Sequence, residues 1–395
     1  MKENIDKMNV GVLGGGTMGS GIVQIAAQNG HKTILVDLNE DVLNKSKVKF
    51  AKIMSRLVDK GNISQDQADA NQANVVYSKD VKDFASCEIV IEAILEDINV
   101  KSKVFSNLES IVSKECILAS NTSSLSIASI GASVDESRRV IGIHFFNPAP
   151  LMPLVEIIPA VQTSESTLST AKSLIDGWGK VTVVCKDTPG FIVNRVARPF
   201  YGEAMRIYEE GIADFATIDW AMTDIGGFRM GPYTLMDYIG NDVNYTVTET
   251  VFTAFYFDPR YKPSFTQKRY TEAGYLGRKS GKGFFDYREG AVNIAPSQNR
   301  ELGQQIFERI LMMLINEAVD ALFLNIGSKE AIDLAMTKGV NYPKGLLIWA
   351  DELGLDFVLA KLESMFAEYG EDRYRPSPLL RRMVKSGDTF FGDIK

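Results

Sequence analysis

Apolar positions in the first 190 residues form short runs between longer amphipathic segments, a pattern that predicts strands alternating with helices. The predicted strands are 9–13, 31–37, 74–77, 88–93, 116–119, 140–145, 155–158 and 180–184. The helical segments between them include 20–28, 100–112, 127–130 and 165–177. This order indicates an α/β fold with a doubly wound, mostly parallel sheet. The rest of the chain is predicted to be all-helical.

The turn after the first predicted strand has the spacing G-x-G-x-x-G and leads directly into a helix. Its residues are Gly14, Gly16, Thr17, Met18 and Gly19. Such a turn brings a pyrophosphate close to the backbone and to the positive end of the helix. Asp37 ends the second strand, where a ribose-binding carboxylate is expected, and no arginine follows that could pair with a 2′-phosphate. The segment therefore predicts a Rossmann-type domain that binds NAD rather than NADP.

The segment after Asp37 predicts an amphipathic helix with a basic stripe. Its basic residues recur every three or four positions, at Lys45, Lys49, Lys52, Arg56 and Lys60. Apolar residues occupy the opposite face, at Leu43, Phe50, Met54 and Leu57. The stripe is either a solvent-exposed face or a binding surface for an anionic group of the substrate, such as a phosphate-rich carrier.

Composition narrows the function classes further. Hydrophobic residues are 45% and charged residues 24%, which is ordinary for a globular protein. The net charge of −7 argues against general nucleic-acid binding. Three cysteines without Cys-x-x-Cys spacing suggest neither a disulfide framework nor a metal site. With no apolar run of membrane-spanning length and no apolar N-terminal segment, we expect a cytoplasmic protein without a membrane partner.

His144 lies in an apolar strand, where a histidine is more often a core residue than a catalyst. The proline-rich stretch 147–153 predicts a turn before the next apolar run, which contains Glu156. If the two strands pair antiparallel about residue 150, His144 faces Glu156. A buried carboxylate would orient the imidazole and raise its basicity. The polar run 120–124, which also follows a strand, either caps a helix or binds a substrate.

These motifs together resemble the L-3-hydroxyacyl-CoA dehydrogenases over about residues 8–287. The matching segments are Gly14–Gly19 with Asp37, Ser120–Ser124, His144–Pro148, Val155–Glu156, Lys186–Arg195 and Leu276–Phe284. The resemblance implies that His144 is the general base for the 3-hydroxyl group and that Glu156 orients it. It also implies that Ser123 and Asn194 contact the reacting oxygen or the thioester carbonyl.

The same resemblance implies further contacts with the cofactor and the substrate. Glu96, Lys101 and Lys279 match positions that contact NAD. Lys60 matches a position that contacts coenzyme A, and we assign Lys52 of the same stripe to substrate binding as well. The family's active site lies between the dinucleotide-binding domain and a helical domain.

The helical part of the chain contains a repeat at a fixed offset of 114 residues. The matched pairs are Glu203 with Glu317, Asp219 with Asp333, Met222 with Met336, Gly231 with Gly345 and Asp237 with Asp351. We therefore expect three domains, 1–187, 188–290 and 297–395, the last a degenerate copy of the second. Asn194 falls on Glu308, so the copy lacks the site. In shorter relatives the helical domain pairs two subunits, and the copy would serve as an internal partner instead.

The predicted activity is NAD-dependent oxidation of L-3-hydroxyacyl-CoA, such as 3-hydroxybutyryl-CoA, to 3-ketoacyl-CoA, or the reverse, as in fatty-acid β-oxidation. One alternative is a sugar-acid dehydrogenase of the gulonate type, against which the basic stripe argues. Another is a non-catalytic NAD-binding sensor, which would need no proton acceptor.

Overall fold

The computed structural model describes residues 7–392, and the chain divides into two compact units, Met1–Thr188 and Pro189–Lys395. No helix among the described residues is both long enough and apolar enough to cross a membrane. The second unit contains both predicted helical segments, 188–290 and 297–395, and the short connection between them. Residue 188 alone belongs to the first unit. The boundary between them as separate domains stays a prediction.

The first unit is built on an eight-stranded sheet. Its strands are β1 Asn9–Leu13, β2 Lys32–Val36, β3 Val75–Ser78, β4 Ile89–Glu92, β5 Ile117–Ser120, β6 Val140–Phe145, β7 Leu154–Pro159 and β8 Val181–Val184. Their order across the described sheet is β3-β2-β1-β4-β5-β6-β7-β8. β6 and β7 are antiparallel, and the other neighbours are parallel. The predicted α/β fold with a doubly wound, mostly parallel sheet is confirmed.

Among the described residues of the first unit, six α-helices accompany this sheet. They are α1 Thr17–Gln28, α2 Glu40–Asp59, α3 Gln65–Ala73, α4 Ile98–Glu109, α5 Ile127–Gly131 and α6 Glu165–Gly177. α4 begins two residues before the predicted segment because the Asp97 side chain accepts hydrogen bonds from Asn99 and Val100 and caps it there. α2 buries Leu43, Phe50 and Met54, the apolar face predicted opposite the basic stripe.

The second unit is helical, as predicted. Its α-helices are α7 Val193–Val196, α8 Arg198–Glu209, α9 Phe215–Trp220, α10 Pro232–Ile239, α11 Asn241–Ala254, α12 Phe265–Glu272, α13 Arg300–Phe323, α14 Lys329–Leu334, α15 Leu346–Leu353, α16 Leu355–Tyr369 and α17 Pro378–Ser386. A π-helical turn follows both α9 and α14, at Ala221–Ile225 and Ala335–Gly339.

The repeat predicted from the sequence recurs in local structure. Asp219 accepts two backbone hydrogen bonds from the first turn of α10, both at 2.8 Å. Asp333 does the same at the start of α15, at 2.9 and 3.0 Å. A side chain at Gly231 or Gly345 would come within 2.3 Å of the corresponding aspartate, so both positions require glycine.

The two copies contact each other through α8 and α13. Arg195 Nε donates to Glu317 at 2.7 Å, and Arg309 Nε donates to Glu203 at 2.7 Å. Arg309 and Glu317 each lie 114 positions after Arg195 and Glu203. The second ion pair is therefore the first with the two copies exchanged, the pattern of a two-fold symmetric interface.

Candidate active site

The three glycines of the G-x-G-x-x-G motif differ in the space that a side chain would have at each position. Gly14 has φ +103°, and a Cβ there would lie 2.6 Å from the Ala93 carbonyl oxygen. A Cβ at Gly19 would lie 1.8 Å from the Gly14 carbonyl oxygen, so α1 can pack this close only without a side chain. Gly16 faces open space, which leaves its backbone open to a ligand.

The N-terminus of α1 is suited to a pyrophosphate. Gly16 is its N-cap and makes no side-chain capping bond, and the first turn, which contains Thr17 and Met18, carries no acidic residue. Half-buried Asp37 follows β2, and its Oδ2 accepts a hydrogen bond from Gly15 N at 2.7 Å. The carboxylate therefore lies against the glycine turn, where an adenosine ribose would sit beside the pyrophosphate. These residues fit a dinucleotide.

His144 and Glu156 face each other in the β6–β7 pair, in the register predicted from the sequence. Nδ1 of His144 lies 2.7 Å from Oε2 of Glu156, and the two residues are 6% and 0% exposed. A carboxylate at this distance accepts a hydrogen bond, so Nδ1 carries the proton. In the neutral ring the lone pair then lies on Nε2.

Ser123 lies in the loop after β5, which ends at Ser120. Its backbone N–H donates to Glu96 Oε1 at 3.0 Å. Thr122 Oγ1 also donates to Glu96, and Ser124 Oγ donates to it at 3.2 Å. The predicted cofactor contact Glu96 thus holds three successive residues of the loop that carries Ser123.

Lys101, also predicted to contact NAD, is 1% exposed and lies between two carboxylates. Its Nζ is 2.6 Å from Oε1 of Glu92, which is fully buried at the end of β4, and 3.2 Å from Oε2 of Glu96. Glu92 Oε2 accepts a hydrogen bond from Ser120 Oγ at 2.7 Å. The lysine therefore connects the ends of β4 and β5 to the loop, and its direct contact with NAD stays a prediction.

The electrostatics of this cluster favour an ionised Glu96. Burial by itself would raise the pKa of Glu96, but the Lys101 ammonium and the hydrogen bonds from Thr122 and Ser123 outweigh it, so the pKa is lowered. The loop is therefore held by a charged acceptor, and charged acceptors make the stronger hydrogen bonds.

A cavity of about 570 Å³ lies between α1, α2 and the loop after β6. Lys49, Arg56 and Lys60 of the basic stripe line it. Lys52, the other residue of the stripe predicted to bind substrate, is exposed and does not line this cavity. The structure thus places Lys60, but not Lys52, at a concave basic surface.

The predicted site residues of the second unit lie on separate elements. Asn194 is half-buried in α7, and its carbonyl oxygen accepts a hydrogen bond from Arg198 Nε at 2.9 Å. Lys279 is in a short 3₁₀ turn, with its ammonium 2.6 Å from the Asp242 carboxylate. Glu308, the counterpart of Asn194, pairs with Lys361 at 2.7 Å.

Three polar residues without a predicted role from the sequence make notable contacts in the structure: Glu92, Lys180 and Arg198. Glu92 had a detectable signal, because it is an acid that ends an apolar strand just as Asp37 follows one. Lys180 Nζ donates to two carbonyl oxygens of the loop after β6, at 2.6 and 2.8 Å. Arg198 is 6% exposed, and nothing in its sequence context indicated burial.

A sheet that can hold a dinucleotide at its first helix, together with an imidazole fixed by a buried carboxylate, defines a nicotinamide-dependent dehydrogenase. The chain belongs to the 3-hydroxyacyl-CoA dehydrogenase family. The family's NAD binding domain matches residues 9–188, and its C-terminal domain matches twice, at 190–287 and 306–390. The protein is therefore an NAD-dependent oxidoreductase of this family.

Individual relatives extend the match over the whole chain. The 3-hydroxyadipyl-CoA dehydrogenase of Escherichia coli is 33% identical over 97% of this chain and 99% of its own length. A crystal structure of 3-hydroxybutyryl-CoA dehydrogenase from Escherichia coli covers 97% of this chain and 100% of its own, with 34% identity and a TM-score of 0.91. A probable 3-hydroxybutyryl-CoA dehydrogenase of Deinococcus radiodurans is 38% identical over 71% of this chain and 100% of its own.

Proposed function

We propose that the chain interconverts L-3-hydroxyacyl-CoA and 3-ketoacyl-CoA, with His144 as the general base. The observation that carries this proposal is the 2.7 Å contact between His144 Nδ1 and the fully buried Glu156 carboxylate. Neither residue is explained as core packing alone, because an acid is almost never fully buried without a partner. A role in acid–base catalysis would account for both the imidazole and the carboxylate.

In the oxidation direction, Nε2 of His144 takes the proton of the 3-hydroxyl group. Glu156 holds the ring in the required tautomer and stabilises the imidazolium that forms. Bound NAD supplies the hydride acceptor for C3. We assign Ser123 and Asn194 to the substrate oxygens on the basis of the family resemblance, and the hydrogen bonds from the Ser123 loop to Glu96 support a fixed position for the serine.

The basic face of the 570 Å³ cavity supports a coenzyme A thioester over a free sugar acid. Lys49, Arg56 and Lys60 present three cations on an otherwise acidic protein, where the phosphates of coenzyme A would pair with them. A gulonate-type substrate carries one carboxylate and would leave most of this charge unused. We also propose the cytoplasm as the compartment, because the buried thiols Cys87 and Cys116 suit a reducing environment.

The activity is tested by NADH formation from L-3-hydroxybutyryl-CoA beside gulonate, with wild type and His144→Gln. We expect turnover of the thioester, and a loss in kcat of about 10²- to 10⁴-fold in the variant, the usual range for a general base. His31→Gln is a matched control, because His31 is the other histidine of the sequence, is also buried, and accepts a backbone hydrogen bond from Met8 rather than lying against a carboxylate at the strand pair β6–β7. Near-normal kcat in His144→Gln would refute the assignment of the base.

We further propose that the second helical copy occupies the surface through which shorter relatives dimerise. The reciprocal ion pairs Arg195–Glu317 and Arg309–Glu203 support this, because a two-fold dimer interface repeats each contact in the same exchanged form. All four residues are largely buried. Two tyrosine hydroxyls complete the pattern, Tyr261 donating to Glu317 and Tyr374 to Glu203.

Light scattering on the full chain and on a chain ending at residue 296 tests the internal partner. The shorter chain would expose the buried face of α8, so we expect it to dimerise or precipitate. We expect the full chain not to form the relatives' dimer through its first helical copy. A truncated chain that is soluble, active and monomeric would contradict this proposal.

A further inference from the structure

β5 ends before it reaches the level of His144. Its last pair with β6 is Ser120 with Gly142, whereas β6 continues to Phe145. On its other edge, β6 stays paired with β7 as far as Phe145, which faces Val155. In the described sheet, the part of β6 that carries His144 therefore has a neighbouring strand on one edge only.

The side chain of Asn121 takes the place of a strand on the other edge. Its Oδ1 accepts a hydrogen bond from the Phe145 backbone N–H at 2.9 Å. The Asn121 backbone N–H donates to the Glu92 carbonyl oxygen at 2.8 Å, which continues the parallel pairing of β5 with β4. An asparagine amide offers a carbonyl oxygen where a further strand residue would offer its own. Asn121 thus extends the sheet by one residue on both of its sides.

The polar residues that follow Asn121 in this loop are anchored to a different element. Thr122 Oγ1, Ser123 N and Ser124 Oγ all donate to Glu96, which lies between β4 and α4. These bonds hold the loop against the end of β4 and do not reach β6. The bond from Phe145 to Asn121 connects the start of the loop to β6 at the residue next to His144.

Two groups assigned to the reaction are held together by this bond. His144 directly precedes Phe145, and Ser123 follows Asn121 by two residues. A general base works only within hydrogen-bond reach of the proton that it takes, about 2.6–3.2 Å. A displacement of ~1 Å can cost a factor of about 100 in rate. A contact one residue from the base and two from the serine therefore bears directly on their relative position.

We propose that Asn121 is a positioning residue for the dehydrogenase reaction, because its amide sets the place of the His144 imidazole relative to Ser123. This inference rests on the proposed function, since it uses the roles assigned there to His144 and Ser123. Glu156 holds the imidazole by its Nδ1, and Asn121 holds the backbone that carries the imidazole. The residue acts through β6 and takes no part in the proton transfer.

Two substitutions of similar shape test the acceptor. Asn121→Leu removes it, and Asn121→Asp keeps an oxygen in its place. We expect Asn121→Leu to lower kcat for L-3-hydroxybutyryl-CoA by about 10- to 100-fold and to change KM less than roughly threefold, the pattern for an interaction needed in the transition state. Asn121→Asp should keep kcat within roughly fivefold of wild type. Equal losses in the two variants would overturn the role of the acceptor.

Combining Asn121→Leu with His144→Gln separates positioning from general damage to the fold. Without the imidazole there is no base to position, and Glu96 still holds the loop. The double variant should therefore have a kcat within about threefold of that of His144→Gln. A further loss of about tenfold or more would refute the inference, because a structural defect lowers the activity of both backgrounds equally. Near-normal kcat in His144→Gln alone would refute the proposed base first, so the two failures are distinguishable.

Asn316→Leu is the matched control. Oδ1 of Asn316 accepts a hydrogen bond from the Ser377 backbone N–H at 2.8 Å, so the substitution removes the same kind of bond in the second helical copy. Urea denaturation should show a loss of stability in both leucine variants, because each leaves a backbone donor unpaired. Only Asn121→Leu should lower the kcat of the folded enzyme. A similar loss of kcat in Asn316→Leu would overturn the inference, because the effect would not be specific to the site.

Discussion

Replacing Glu156 with glutamine keeps the shape of the side chain and removes its charge. The carboxylate is fully buried, and it is fixed opposite His144 by the antiparallel pairing of β6 and β7. When the imidazole takes a proton, an ion pair forms at a Nδ1–Oε2 distance of 2.7 Å. The glutamine amide still accepts a hydrogen bond through its oxygen, but it cannot neutralise the imidazolium.

The magnitude follows from this geometry. Two unit charges with centres about 4 Å apart interact by ~4 kcal/mol at an effective dielectric constant of 20. Because the amide retains a dipole, we expect a loss of about 2–4 kcal/mol of transition-state stabilisation. At about 1.4 kcal/mol per factor of ten, kcat should fall roughly 30- to 1,000-fold. The variant also exchanges a hydrogen bond from His144 to a charged acceptor for one to a neutral acceptor, so unfolding free energy should fall by about 1–3 kcal/mol.

The assay is NADH formation at saturating NAD and thioester, with urea denaturation to confirm that the variant is folded. Glu165→Gln is a matched control, since it makes the same charge change at an exposed residue in the first turn of α6. Its kcat should equal that of wild type. If folded Glu156→Gln keeps kcat within threefold of wild type, the carboxylate does not stabilise His144 during the reaction, and the reasoning fails.

Three further predictions concern the cofactor, the carrier and the buried lysine. Asp37→Ala should erode a strong wild-type preference for NAD over NADP, and equal kcat/KM values for both cofactors in wild type would show that the carboxylate does not select. Lys60→Ala should raise the KM for the thioester about two- to fivefold at low salt, whereas Lys52→Ala, which alters a residue outside the cavity, should change it less. Lys101→Met should lower unfolding free energy by about 3–5 kcal/mol at pH 7, because it leaves Glu92 buried without a counterion. Because Lys101 lowers the pKa of Glu96, the interaction between them stabilises the fold above the ordinary carboxyl pKa of about 4.5, and this stabilisation is lost as the pH falls below that value. A destabilisation by Lys101→Met that grows on acidification would contradict this.

Features that depend on residues close in sequence were determined by the sequence alone. The glycine turn, α1 and Asp37 form one strand–helix–strand unit, and the local spacing was enough to predict where a dinucleotide fits. The pairing of His144 with Glu156 was also predictable. A single short turn joins their strands, and antiparallel register then follows from position. The repeat was visible because its fold-determining residues kept their spacing.

The tertiary structure decided what depends on residues far apart. From the sequence Lys101 was predicted only to contact the cofactor, but the parallel ends of β4 and β5 bring Glu92, Ser120 and the loop to Glu96 around it. Arg198 acquired its environment in part from Thr248, which lies 50 positions later in the chain. Burial and the choice of hydrogen-bond partners are properties of everything packed around a group. No local sequence pattern encodes them, because the residues that surround such a group come from elements far apart in the chain.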